Sequence, residues 1–297
     1  MHAPAKSDVL STPRSLLVLV TGASGHQGGQ VARHLLKRGH RVRALSRSPQ
    51  DPKLDALRAQ GVDVMPGTFD DTASVERAAK GVDAMFLMGT PFGVGAEAEA
   101  RQGRAAVDAA KHAGVPWLVY SSVGDADRRT GIPHFESKFA IEEHLRASGV
   151  PYAISAPSSF MENFLGPLSI SSVRQGKLSA GLSADRPVQM VSLEDLGAFV
   201  TMLLENPGRF RGRRINVSSD SLSYAGVAEV LSAVIGHRIE YQPIPIAALR
   251  AQNEDFAKMY EWFERDGYTA DIEALRREFP QIGWHRFRDW AARQSWT

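Results

Sequence analysis

The chain has 297 residues, 43% hydrophobic and 23% charged, with 35 Lys and Arg against 33 Asp and Glu for a formal charge of +2. That length and composition suit a globular protein with one large domain, or one domain and a smaller appendage, and a near-balanced charge without a Lys/Arg block leaves no footprint for direct nucleic-acid binding. With no cysteine, disulfides, thiolate nucleophiles, zinc knuckles and iron–sulfur clusters are excluded, and redox chemistry would need a borrowed cofactor.

Residues 1–14 carry Pro, Ser and Lys but no apolar stretch of the kind a signal peptide needs, so a disordered N-terminus is expected. No apolar run approaches spanning length, and the expectation is a cytoplasmic protein without membrane contact. From Leu16 an apolar run breaks at Gly22, and Gly25 and Gly28 follow at three-residue intervals as a helical pattern opens. This is a strand, a tight turn and a helix start, the arrangement in which glycines let a backbone approach a pyrophosphate and free N–H groups face an anion. Gly22, Ser24, Gly25, His26, Gln27 and Gly28 are therefore candidate cofactor-binding residues.

Gly39 sits where a helix cap is expected, and Arg41 to Ser46 alternates as a second strand. Arg47 follows where an NAD-specific site would place an acid, and no acid occurs from Val42 to Gln50. With Arg43 and Lys53 nearby, this favours a 2′-phosphate and hence NADP(H). Gly61-Val62, Gly81-Val82, Gly114-Val115 and Gly149-Val150 then repeat one punctuation between helix-like and strand-like segments. The implied strands, 62–65, 83–88, 116–121 and 151–155, alternate with helices, which predicts an α/β fold: a Rossmann doubly wound parallel sheet with helices on both faces. Ligands bind such sheets at the carboxyl ends of the strands. Those ends carry Phe69, Asp70, Met88, Gly89, Thr90, Ser121, Ser122, Pro157 and Phe160. Asp70 and Asp71 serve equally well as caps for a helix beginning near Ala73.

Beyond residue 156 the alternation is lost. A dinucleotide-binding domain over 15–156 and a smaller C-terminal α/β lobe over 157–297 are expected, with a soft boundary because later strands can rejoin the first sheet. Ser192 starts a capping box, Arg214 to Val217 reads as a strand, and Ser221 to Ser223 opens a helix. Tyr260, Trp262, Phe263, Trp284, Phe287 and Trp290 read as packing for the lobe. The histidines have no metal-ligand spacing, and no metal is expected.

His134 and Lys138 lie four residues apart on one expected helix, close behind the Ser121-Ser122 strand end. The Thr21-Gly-x-x-Gly-x-x-Gly start, Arg47, the His134-Phe-Glu-Ser-Lys138 segment with Ile141-Glu142-Glu143, and Ser159-Phe-Met-Glu-Asn-Phe164 together resemble the NmrA-like family of atypical short-chain dehydrogenase/reductases. The resemblance implies NADP(H) on a Rossmann domain, in some members with reduction of quinones or related electrophiles, in others with redox sensing through a regulatory protein. In better-known relatives a Tyr-x-x-x-Lys pair and a Ser carry the chemistry. Here His134 takes the tyrosine position, so His134, Lys138 and Ser122 are the candidate catalytic residues, with Lys138 also expected on the nicotinamide ribose. Alternatively Lys138 pairs with Glu142 along the helix. Phe160, Met161, Asn163 and Phe164 are expected to form an apolar substrate pocket with one amide donor, suited to a flat acceptor. Three readings follow: an NADPH-dependent reductase of a quinone-like or enone-like acceptor, a non-catalytic NADPH/NADP+ sensor regulating a partner protein, and, least favoured, a sugar-nucleotide epimerase or dehydratase. A homodimer is compatible with any of them.

Overall fold

A computed structural model describes residues 15–296; the expectation for residues 1–14 lies outside them. In chain order the first half runs β1 (Leu17–Thr21), α1 (His26–Lys37), β2 (Arg41–Ser46), α2 (Asp55–Arg58), β3 (Asp63–Pro66), α3 (Thr72–Ala79), β4 (Ala84–Leu87), α4 (Ala96–His112), β5 (Leu118–Ser121), α5 (Pro133–Ser148) and β6 (Tyr152–Pro157). The second half adds β7 (Ser159–Phe160), α6 (Pro167–Arg174), β8 (Lys177–Ala180), β9 (Pro187–Val191), α7 (Leu193–Glu205), α8 (Pro207–Phe210), β10 (Arg214–Val217), β11 (Asp220–Ser223), α9 (Tyr224–Ile235) and β12 (Glu240–Pro243). It ends with α10 (Ile246–Gln252), α11 (Glu254–Arg265), α12 (Ile272–Glu278) and α13 (Phe287–Ala291).

Seven strands form one parallel sheet in the order β10-β6-β5-β4-β1-β2-β3. The strand order reverses between β1 and β4, which opens a crevice at their carboxyl ends. Because side chains alternate along a strand, Val18 and Val20 of β1 face the core shared with α1 and α7, whereas Leu19 faces the layer of α3, α4 and α5. Each expected strand appears within one or two residues of its reading, and the Gly-Val punctuation is the helix stop: Gly149, at φ 81°, closes α5 in the left-handed conformation.

Beyond β6 the chain divides its loyalty. β10 returns to pair with β6, and α7, capped by the Ser192 hydroxyl on the Asp195 N–H, packs against α1 on the face of the first sheet. The remaining strands make a three-stranded sheet, β11-β9-β7, and a β12–β8 pair. A second core holds Trp262, Phe263, Phe287 and Trp290 there, while Trp284 instead joins the first core against Phe199. Asp125 links the two halves. Buried in the left-handed conformation at φ 58°, it accepts from the Thr269 N–H, the Thr269 hydroxyl and the Asn216 amide.

Candidate active site

Loops after β1, β2, β3 and β4 line the outer part of the crevice, a cavity of about 260 Å3 with Gly22, Ser24, Arg47, Phe69 and Asp70 in its walls. Gly22 turns at φ 67°. A Cβ on Gly28 would stand 2.4 Å from the Gly22 carbonyl oxygen and 2.6 Å from that of Thr21, so α1 can start this close to β1 only with glycine there. No side chain caps the first turn of α1, whose N–H groups open towards this end. The glycine cradle and the uncapped turn fit a dinucleotide pyrophosphate. Gly25, His26 and Gly28 supply the backbone of this turn and are absent from the cavity wall.

Arg47 is exposed at the rim of this cavity. Arg43 is not beside it: its guanidinium is bound to Asp63 and to the carbonyls of Ala78 and Lys80. Asp51, just past the acid-free stretch, also lines the cavity and caps its own turn by accepting from the Lys53 N–H. The two acids after β3 divide their work, Asp71 capping α3 and Asp70 accepting from Gln102 in the cleft wall.

Met88, Gly89, Thr90 and Phe92 are shared with an inner cavity of about 480 Å3, which also meets Gln27, Ser122, His134, Lys138, Pro157, Phe160, Asn163 and Phe164. The Gln27 amide donates to the Ser121 hydroxyl oxygen at 2.5 Å, tying the glycine turn to the end of β5. Ser122 donates its proton to Glu142 at 2.5 Å, and that buried carboxylate also accepts from Arg146 and Arg214. Only the lone pairs of Ser122 remain for a molecule in the cavity.

Lys138 does not pair with Glu142. Its ammonium donates to Glu99 Oε1 at 2.7 Å and to the Gly89 carbonyl at 3.3 Å, and Ser137 donates to the other Glu99 oxygen at 2.6 Å. Glu99, in the first turn of α4, has 1% of its side chain exposed. His134, in the first turn of α5, is buried with its Nδ1 2.5 Å from Asp255 Oδ1 on α11. Burial pushes the His134 pKa down from the ordinary histidine value, and the hydrogen bond to Asp255 opposes this. The neutral ring therefore donates Nδ1–H to the carboxylate, which directs the proton-accepting lone pair to Nε2.

The expected pocket residues separate. Phe160, Asn163 and Phe164 line the inner cavity, but Met161 is wholly buried in the second core and is not part of the wall, because it opens the short 3-10 turn over Met161–Leu165 with its side chain inward. Tyr260 and Phe263, read from sequence as packing, line the cavity together with Tyr224, Phe256 and Tyr268. Tyr224 and Tyr260 share a hydrogen bond, Tyr268 bonds Ser159, and burial raises all three phenol pKa values, so they stand as neutral hydroxyls. Glu99 and Asp255 went unread because their partners lie 39 and 121 residues away. The only local sign of Asp255 is the Asn253-Glu-Asp start of a helix, which caps alone would explain.

Residues 14–291 match the NmrA-like family. Among curated proteins, the (4-alkanoyl-5-oxo-2,5-dihydrofuran-3-yl)methyl phosphate reductase of Streptomyces griseus is 30% identical over 292 residues, covering 94% of this chain and 98% of that one. Two solved structures share the fold. The NADPH-dependent quinone oxidoreductase QOR2 of Escherichia coli, complexed with NADPH, superposes with a TM-score of 0.78 at 23% identity, covering 93% of this chain and 99% of its own. The negative transcriptional regulator NmrA in complex with NADP gives 0.78 at 22% identity, covering 94% and 95%.

Proposed function

The chain belongs to the NmrA-like family, and we propose that within it this protein is an NADP(H)-binding oxidoreductase that reduces a small quinone-like or enone-like acceptor. The observation that carries the reading is the continuity of the cleft: a dinucleotide cradle at the strand-order reversal runs directly into an aromatic cavity lined by His134, whose ring is held from behind by Asp255.

The glycine cradle and the uncapped start of α1 hold the pyrophosphate, and Arg47 pairs with the 2′-phosphate. Lys138, steadied by Glu99, keeps a further N–H for a ribose hydroxyl. When bound, the reduced nicotinamide supplies a hydride to the acceptor. Phe160, Phe164, Tyr224, Tyr260 and Phe263 keep water from that region and stack against a flat ring. His134 takes up a proton at Nε2 and delivers it to the acceptor oxygen, while Asp255 holds the ring and stabilises its imidazolium form. Ser122, with its proton committed to Glu142, orients rather than donates.

The test is NADPH oxidation by the purified protein against a panel of neutral quinones and enones, after calorimetric titration of the cofactor. Turnover well above the uncatalysed rate supports the reading. Tight NADPH binding without turnover on any acceptor would replace it with a cofactor sensor that acts through a regulatory protein.

A further inference from the structure

Among the described residues, the large hydrophobic side chains left exposed are Phe92 at 65%, Val94 at 41%, Leu168 at 87% and Phe256 at 37%. Single exposed apolar groups are ordinary, but three of these, Phe92, Val94 and Phe256, line the one cleft. Leu168 immediately precedes Ser169, which lines its inner part. The four come from three separate elements: the loop between β4 and α4, helix α6 and helix α11. The Phe92 and Phe256 rings lie 6.1 Å apart, and Phe92 is 6.2 Å from the His134 ring. The apolar rim therefore begins at the proposed proton donor and leads out of the cavity.

The interior adds a second constraint. The cation of the inner wall, Lys138, is already matched by Glu99, the neutral His134 ring is held by Asp255, and no arginine lines it. Nothing there would offset the desolvation of an anionic group. A volume of about 480 Å3 lies towards the small end of ligand pockets and holds a ring system but not a long chain as well.

We propose that the acceptor is an uncharged ring bearing an aliphatic chain, with the ring beside His134 and the chain lying outward over Phe92 and Phe256. The ring's reduction rests on the proposed oxidoreductase activity; the chain site does not. The test uses 2-alkyl-1,4-naphthoquinones of increasing chain length, with a terminal-carboxylate analogue at each length, titrated calorimetrically into protein saturated with NADP+ and assayed separately for turnover with NADPH.

Affinity is expected to rise about two- to fourfold per methylene over the first several carbons and then level off. A carboxylate close to the ring should cost at least tenfold, and one at the end of a long chain, beyond the rim, much less. The double variant Phe92→Ser/Phe256→Ser should flatten the chain-length dependence, read as the slope of affinity on chain length and so independent of any change in affinity for the unsubstituted quinone. Chain-length-dependent binding without turnover would keep the proposal and sink the oxidoreductase reading. Turnover with affinity independent of chain length would do the reverse. The same steep dependence in the double variant, or rim-dependent sedimentation with phosphatidylcholine vesicles in the absence of acceptor, would overturn the proposal.

Discussion

Glu99→Gln should destabilise the fold by about 3 kcal/mol, because it removes the counter-charge of a lysine that cannot easily leave its site. At 2.7 Å the gross attraction between the two charges is roughly 6 kcal/mol at an effective dielectric constant near 20, much of it offset by desolvation. Glu99 has 1% and Lys138 12% of the side chain exposed, so removing one partner belongs with broken buried pairs, which cost about 3–5 kcal/mol. The lower end applies because Lys138 borders the cleft and retains some hydration. Hydrogen bonding is largely preserved: Ser137 also donates to the His134 carbonyl at 3.1 Å, and its oxygen can accept from the new amide. Guanidinium-induced unfolding should show a lower midpoint at unchanged m, and thermal melting a drop of about 6 °C or more. Lys138→Met alone should also destabilise, whereas the paired replacement Glu99→Leu/Lys138→Met should recover to within about 1 kcal/mol of wild type. A Glu99→Gln protein within about 0.5 kcal/mol of wild type would refute the argument, since Lys138 would then be finding its stability elsewhere.

Gly28→Ala should cost about 3 kcal/mol by denaturation and abolish calorimetric NADPH binding, since its Cβ would meet backbone at 2.4 Å; Gly25→Ala, in extended backbone with a milder 3.3 Å approach to the Gly22 carbonyl oxygen, should cost about 1 kcal/mol. Arg47→Ala should weaken NADPH about tenfold and NADH less than twofold, and equal losses would remove Arg47 from the 2′-phosphate. Because burial lowers the His134 pKa in the fold, the unfolded chain binds the extra proton first as pH falls below about 6.5, so stability declines through that window down to the folded pKa. His134→Phe should flatten this decline. Asp255→Ala removes a contribution that raises that pKa, so turnover dependent on imidazolium should fall off at a lower pH than in wild type, and an unmoved profile would detach Asp255 from the proton.

The fold was legible because its signals are local. Gly22 and Gly28, the Gly-Val helix stops and the apolar strands each act within a few residues of themselves, and parallel strands joined by helices leave little choice of topology. The glycine turn was legible for the same reason, since its strand end, tight turn and helix start lie within a dozen residues. Met161, Arg43 and Ser122 went differently because each depended on which way a side chain turns. Met161 was read with its neighbours as pocket lining, but the short turn that carries it alternates exposed Asn163 with buried Met161 and Phe164. Arg43 sits mid-strand on β2 directly across from Asp63 of β3, which takes its guanidinium, whereas Arg47 lies beyond the strand's carboxyl end. Ser122 meets a carboxylate whose other partners, Arg146 and Arg214, come from the end of α5 and from β10.

A histidine at position 134, in place of the tyrosine that the resemblance leads one to expect there, would change what the site asks of the rest of the molecule. A phenol with a high pKa needs a cation nearby to give up its proton, and Lys138, four residues on, is placed for that within the same helix. An imidazole needs the opposite, because a neighbouring cation disfavours its protonated form and burial lowers its pKa further. Glu99 neutralises the lysine from α4, and Asp255 supplies the negative charge from α11. Both additions use carboxylates, and both come from elements remote in sequence. The partner of the His134 ring thus comes from the second lobe, and the same helix that brings Asp255 brings Phe256 to the rim.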